Sequence, residues 1–244
     1  AEAARQLARH TDNPDLQLAI MDLLSREQPP RVKAALYRSL GEITGGASGT
    51  EQQFLDALGD ESPRVKEAAA GALRYFKGNQ QVLQALRRTA MQADTISLFR
   101  TSVNSLVEAA DSAAAGAVTS LVQNVVSSDS SGHRAIYLLQ TVAGQEFLER
   151  DELINYLELL AGANYSYGIR SAALDLLISF DNRQERWNRR IEQLLADSDP
   201  RMRLHAVKAV ENLSFLDAEA LLQGTMLDEY DGRVYYEMRS AVRE

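Results

Sequence analysis

Three histidines, His10, His133 and His205, are the first candidates for acid–base or metal chemistry, and their placement argues against both. They are scattered along 244 residues, with no His-Glu-x-x-His and no pair at metal-ligand spacing. His205 falls beside an apolar stripe and reads as a packed or partly exposed side chain rather than a ligand. Cysteine is absent, which removes disulfides, thiolate metal sites and cysteine nucleophiles without fixing a compartment. Carboxylates cluster at Glu149, Asp151 and Glu152, and again at Asp217 and Glu219. These sit where turns and helix starts are expected, and there the helix dipole favours negative charge. The glycine-rich residues 45–49 lack the lysine that follows a phosphate-cradling loop, so they read as a flexible connector. Residues 111–116 read as a helix start capped by Asp111 or Ser112, and residues 127–131 as a polar turn. The expectation is no catalytic residue, no metal site and no cofactor.

Composition narrows the partners. Lys and Arg number 26 against 34 Asp and Glu, a net charge of −8 that opposes binding to phosphate backbones. Nucleic acid is therefore not expected. No run approaches the roughly 18–20 consecutive apolar residues of a membrane span. With 45% hydrophobic but only 7% aromatic residues, the core must be built largely from Ala, Leu and Val.

The elements that position these residues come from a repeat. Residues 27–33 (EQPPRVK), 60–66 (DESPRVK) and 197–203 (DSDPRMR) share an acidic turn, a proline, and an apolar residue between two bases. Taking the apolar residue as anchor, Val32, Val65 and Leu98 lie 33 residues apart, as do Ile169 and Met202, and Val234 follows after 32. The 71 residues between Leu98 and Ile169 fit two longer repeats with an anchor near Ala135. Four residues past the anchors stand Leu36, Ala69, Ser102, Ala173, Ala206 and Met238; eight past stand Leu40, Leu73, Leu106, Leu177, Val210 and Val242. Positions i, i+4 and i+8 share one helical face, so this stripe is a buried seam. Six past the anchors the column turns polar or permissive: Arg38, Gly71, Asn104, Asp175, Lys208 and Ser240. That column should face water.

A second amphipathic helix precedes each anchor, over about residues 15–25, 51–59, 80–92, 113–127, 145–160, 184–196 and 217–227 by the i, i+3, i+4 rule. Every proline falls at or just before a predicted helix start, where its missing N–H costs nothing. Gly41, Gly78 and Gly162 are placed where helices should stop. Trp187 belongs to a first-helix core. No stretch alternates with period two, so the fold class is all-α.

An acid or amide, then five positions later an apolar residue followed by a base, marks Asp60/Val65/Lys66, Asp197/Met202/Arg203, Glu27/Val32/Lys33 and Asn164/Ile169/Arg170. This pattern resembles the HEAT repeat in its short form, familiar from the phycobilisome-lyase-like group. The resemblance implies a right-handed α-α superhelix, a HEAT/armadillo-like solenoid of about seven helix pairs, with residues 1–244 forming a single array. It also implies an inter-repeat ladder of acids and bases carried by Glu27, Lys33, Asp60, Lys66, Arg170, Asp197 and Arg203. Interruptions are expected at Ala93 and Phe99, which occupy both ladder positions of one repeat, and at Tyr235, which replaces a base. The ends carry no polar capping helix, so the chain reads as a piece of a longer one. Residues 54–65 and 231–234 are also similar to the C-terminal HEAT-like region of bacterial gluzincin-type zinc aminopeptidases.

The functional expectation is a non-catalytic scaffold that holds a protein or peptide, or the remainder of its own chain. In HEAT-like arrays second helices line the concave side, and Arg38, Arg74, Asn104, Asp175, Lys208 and Glu211 form a ridge of mixed charge there. Two other readings are an accessory domain that restricts access to an aminopeptidase active site, and a bilin-lyase-like subunit. The latter needs a ligand-sized groove with an acid/base pair, and the sequence offers no obvious one. Tyr165, Tyr167, Tyr230, Tyr235 and Tyr236 are read as covers of inter-repeat seams or as interface residues.

Overall fold

The computed structural model describes residues 14–111, 115–180, 184–212 and 218–242. Among these, every regular element is helical: fourteen α-helices and one 3-10 turn. They fall into seven successive pairs. The first three are α1 (Pro14–Ser25) with α2 (Pro30–Thr44), α3 (Glu51–Ala57) with α4 (Pro63–Ala72), and α5 (Gln80–Met91) with α6 (Ile96–Ala109). The next two are α7 (Ala115–Ser128) with α8 (His133–Val142), and α9 (Arg150–Leu160) with α10 (Tyr167–Phe180). The last two are α11 (Gln184–Leu195) with α12 (Pro200–Asn212), and α13 (Ala218–Met226) with α14 (Gly232–Ala241). The 3-10 turn, Leu73–Tyr75, continues α4. None of the described helices is long and apolar enough to cross a membrane.

Local chemistry starts and stops these helices. Pro14, Pro30, Pro63 and Pro200 occupy first positions, where no backbone donor is needed. Elsewhere side chains cap the free N–H groups. Asn79 accepts from Gln81 and Val82, Thr95 from Leu98, and Asp231 from Arg233 and Val234. α9 starts at Arg150, five residues later than the periodicity suggests, because Gly144 at φ 82° and the Gln145 N–H bond to the Val142 carbonyl form a turn first.

The chain divides into two compact units, one of Ala1–Ser130 with Tyr137–Leu148 and the other of Ser131–Ile136 with Glu149–Glu244, so the boundary falls inside α8. In the first unit the second helices α2, α4 and α6 pack successively side by side, and the first helices α3, α5 and α7 do the same. In the second unit α10, α12 and α14 form one such row, and α11 packs on α13. Within each unit these helices thus touch counterparts in the next pair as well as pair mates, such as α1 with α2, α5 with α6 and α9 with α10, as expected of units that cannot bury an apolar stripe alone. The stripe is the buried core: Leu36, Ala69, Ser102, Ala173, Ala206 and Met238 are all buried, as are Leu40, Leu73, Leu106, Leu177 and Val210. Trp187 is fully buried.

Two glycines behave differently from their sequence reading. Gly41 is not a helix stop; it is buried inside α2, and a Cβ there would lie 2.5 Å from the Cβ of Ala72. Its missing side chain lets α2 and α4 approach, while the stop is made by Gly45 at φ 52°, whose N–H bonds the Gly41 carbonyl. The connector after it is not loose. Gly46 has φ 85°, and a Cβ there would lie 2.3 Å from the Tyr75 carbonyl oxygen, so the turn is seated on the end of α4. Gly46→Ala is expected to destabilise the chain by about 1–3 kcal/mol through strain and steric displacement together. Urea denaturation checks this, with Gly49→Ala as a control that is strained in φ but meets no neighbouring atom.

Candidate interaction surface

The charged residues of the second-helix layer sort into two populations. The first is buried and paired. Lys33 on α2 forms an ion pair with Asp60 in the turn before α4, and Arg170 on α10 does so with Asp197 in the turn before α12. Arg203 on α12 holds Glu229, before α14, through two bonds of 2.8 Å. The acid follows its base by 27, 27 and 26 residues. Each carboxylate also accepts a backbone N–H two residues further on: Ser62 to Asp60 and Asp199 to Asp197 at 2.9 Å, Asp231 to Glu229 at 2.8 Å. A single acid therefore shapes the turn that launches one second helix and ties that turn to the second helix before it.

Burial grades these pairs. Lys33 and Asp60 are partly exposed, Arg170 and Asp197 largely buried, while the Arg203 and Glu229 side chains expose only 4% and 1%. Arg203 also donates to the Asp197 carbonyl at 2.8 Å, and its guanidinium lies 4.7 Å from the Tyr230 ring centroid. The hydrogen bond from Arg203 holds the Glu229 carboxyl below its ordinary value despite burial, helped by the Asp231 N–H. For Asp60 and Asp197 burial pushes upward, but the bonds from Lys33 and Arg170 and from the backbone N–H groups prevail, so both are lowered.

A carboxyl whose folded pKa lies below its unfolded value stabilises the fold above the unfolded value and loses that contribution as pH falls through the folded one. Stability is therefore expected to be constant near neutrality and to fall once pH drops below about 4, where free Asp and Glu protonate. Glu229→Gln flattens that decline in urea melts run at successive pH values.

The row is incomplete. The position matching an acid for Lys66 is the buried Ala93, and Lys66 makes no ion pair among the described residues, although its charge still favours ionised Asp60. Glu27 is exposed and likewise has no ion pair there.

Other cross-repeat bonds escaped the motif reading. Arg87 donates to Ser120 and Tyr137 to Asn104, each 33 residues apart; Arg190 pairs with Glu158, 32 apart, and His205 Nε2 meets Asp175 Oδ1 at 2.8 Å, 30 apart. The repeat period itself was the signal that could have found them.

The second population is exposed. Arg38, Asn104, Asp175 and Lys208 are exposed and Arg74 half-buried, while the Glu211 side chain and His10 lie outside the described residues. In the first unit Arg38 and Arg74 meet at a cleft of about 240 Å³ over α4. Its floor is Ala68, Gly71 and Ala72, and its rim includes Glu42, Glu67, Tyr75 and Thr101. Asn104 stands apart from it, accepting the Tyr137 hydroxyl at 3.0 Å. In the second unit Asp175 is engaged by His205, and Lys208 lies 3.9 Å from Glu237 beside a shallow cleft of about 460 Å³ that includes Leu204 and Tyr236. A cleft of about 600 Å³ lies on the second unit, where Arg170 and Arg190 are each matched by a carboxylate, Asp197 and Glu158. No group of three or more His, Asp or Glu able to hold a metal occurs among the described residues.

Residues 19–107, which span the first three helix pairs, match the family of HEAT repeats. No curated protein matches the chain. Paired helices packed through a periodic apolar seam and joined at their second-helix turns by acid–base pairs make this an all-α chain of helix pairs, of which residues 19–107 are similar to HEAT repeats.

Proposed function

We propose that the chain is a non-catalytic protein-interaction scaffold that takes its partner on the exposed second-helix surface, the concave face in HEAT-like arrays. The observation that carries this reading is the contrast between the two populations of charge. The charges of the Arg170–Asp197 and Arg203–Glu229 pairs are buried and matched, whereas Arg38, Glu42 and Glu67 line an open cleft with no ion pair among the described residues. Structural charges are satisfied at home; these are placed for something else. HEAT repeats generally serve as protein-interaction scaffolds, and the net charge of −8 favours a protein or peptide over nucleic acid. The accessory-domain reading sets the same surface against the remainder of a longer peptidase chain, and it rests on sequence resemblance alone.

A photo-crosslinking residue placed in turn at Arg38, Asn104 and Lys208, and at the exposed first-helix residue Gln84, tests the proposal. A common crosslinked species from the three second-helix positions and none from Gln84 is the expected pattern. Crosslinks confined to Gln84 would overturn it.

A further inference from the structure

The cleft over α4 has a shape and charge that narrow what it takes. Its depth comes from sequence: Ala68, Gly71 and Ala72 leave α4 bare between the side chains of α2 and α6. A Cβ at Gly71 would meet only the Thr101 methyl, at 3.7 Å, so the space above it is open. At about 240 Å³ the cleft falls below the roughly 300–1,000 Å³ of small-molecule and cofactor sites. That is room for one long side chain.

Its charges are not equally available. Arg74 donates to the Tyr75 hydroxyl at 3.0 Å and lies 3.9 Å from Glu108. The bond to Tyr75 raises its pKa, and the fields of Glu108 and Glu42 add to that. Its positive charge is thus already offset. Arg38 remains as a single exposed cation against Glu42 and Glu67, neither of which has an ion pair among the described residues. The lining holds two carboxylates and two guanidinium groups, and with Arg74 matched by Glu108 outside the cleft, Glu42 and Glu67 outnumber Arg38, in a chain that is itself acidic.

We propose that this cleft receives one arginine or lysine side chain of a partner protein, its stem over Gly71 and Ala72 and its cationic head between Glu42 and Glu67. The proposal rests on the second-helix surface being the partner face, and it adds the chemistry recognised there. Charge-assisted bonds to two carboxylates give the contact its strength, and the narrow apolar floor selects a long unbranched stem.

The probe is the peptide Ac-Gly-Gly-Arg-Gly-Gly-NH2, compared with the same peptide carrying citrulline, a neutral isostere, or glutamate. Each is titrated into the full chain while backbone amide shifts are followed by NMR. Saturable shifts confined to the amides around the cleft, residues 38–42, 67–75 and 101, are expected with arginine and not with citrulline or glutamate. Glu42→Gln with Glu67→Gln is expected to weaken the arginine peptide about tenfold or more, and Gly71→Leu, which fills the cleft, to abolish its shifts with folding intact. Saturable binding of the glutamate peptide, equal binding of citrulline, or no saturable shift with any probe overturns the proposal. If the Asn104 and Lys208 crosslinks persist undiminished in the Glu42→Gln/Glu67→Gln variant, the receptacle fails while the broader surface reading stands.

Discussion

Arg203→Ala is expected to lower the unfolding free energy by about 3–5 kcal/mol, the cost of leaving a buried charge without its partner. Glu229 exposes only 1% of its side chain, so water cannot replace the lost guanidinium. The same change frees the Asp197 carbonyl and uncovers Tyr230, loosening two turns together. Three comparisons separate this from a general packing defect. Arg203→Met with Glu229→Leu, which removes both charges and keeps volume, should recover most of the loss. Lys33→Ala, at the partly exposed pair, should cost no more than about 1 kcal/mol. The Arg203→Ala deficit should also shrink as pH falls toward 4, because an unpaired Glu229 can then be buried as the neutral acid. Urea melts at pH 7 and pH 4 read all three; a deficit that stays constant or grows on acidification would contradict the account.

Phe54→Ala is expected to cost about 3–5 kcal/mol, in the range of large core truncations. Phe54 on α3 is fully buried, with its ring centroid 6.0 Å from that of Tyr37 on α2 and 5.8 Å from that of Phe76 beyond α4. The ring therefore joins two helix pairs, and alanine leaves a hole that three segments would have to close. Few aromatics serve this chain, so little nearby mass can shift into the space. Stacked pairs depend on their neighbours, so uncoupling α2 from α3 should broaden the transition as well as move it. Hydrogen exchange of α1–α3 amides at the rate of α5 and α6, with an unchanged urea slope, would argue against that coupling.

Much of the architecture was written in the sequence because a stacked repeat repeats its physics. The column at anchor plus four is apolar or small in all six readable repeats, and all six residues are buried. The prolines mark helix starts for a local reason, the missing donor, that needs no tertiary knowledge. What was not legible depends on which face meets which neighbour. Gly41 looked like a stop because the sequence does not reveal that Ala72 of the next second helix needs its missing Cβ. Gly46 looked loose because the Tyr75 carbonyl that confines it is 29 residues away. The cleft was half seen. Arg38 and Arg74 were singled out, but Glu42 and Glu67 fall ten and two residues past their anchors, outside the columns that drew attention. Its depth follows from the size of Ala68, Gly71 and Ala72, of which the sequence reading placed only Gly71 on the water-facing column.

The close side-by-side register of α2 and α4 is what makes a second-helix surface and opens the cleft on it. The chain contains no cysteine, so a cysteine pair at Gly41 and Ala72 reports that register without background. The positions are close enough that, after a small outward shift, they reach the roughly 3.5–4.5 Å Cβ separation of a disulfide. In the Gly41→Cys/Ala72→Cys variant, mild oxidation should give an intramolecular disulfide in the folded monomer, seen as loss of both free thiols in a denaturing thiol assay. Two thiols that stay free under that oxidation, in a chain that retains its helical circular dichroism, would contradict the account.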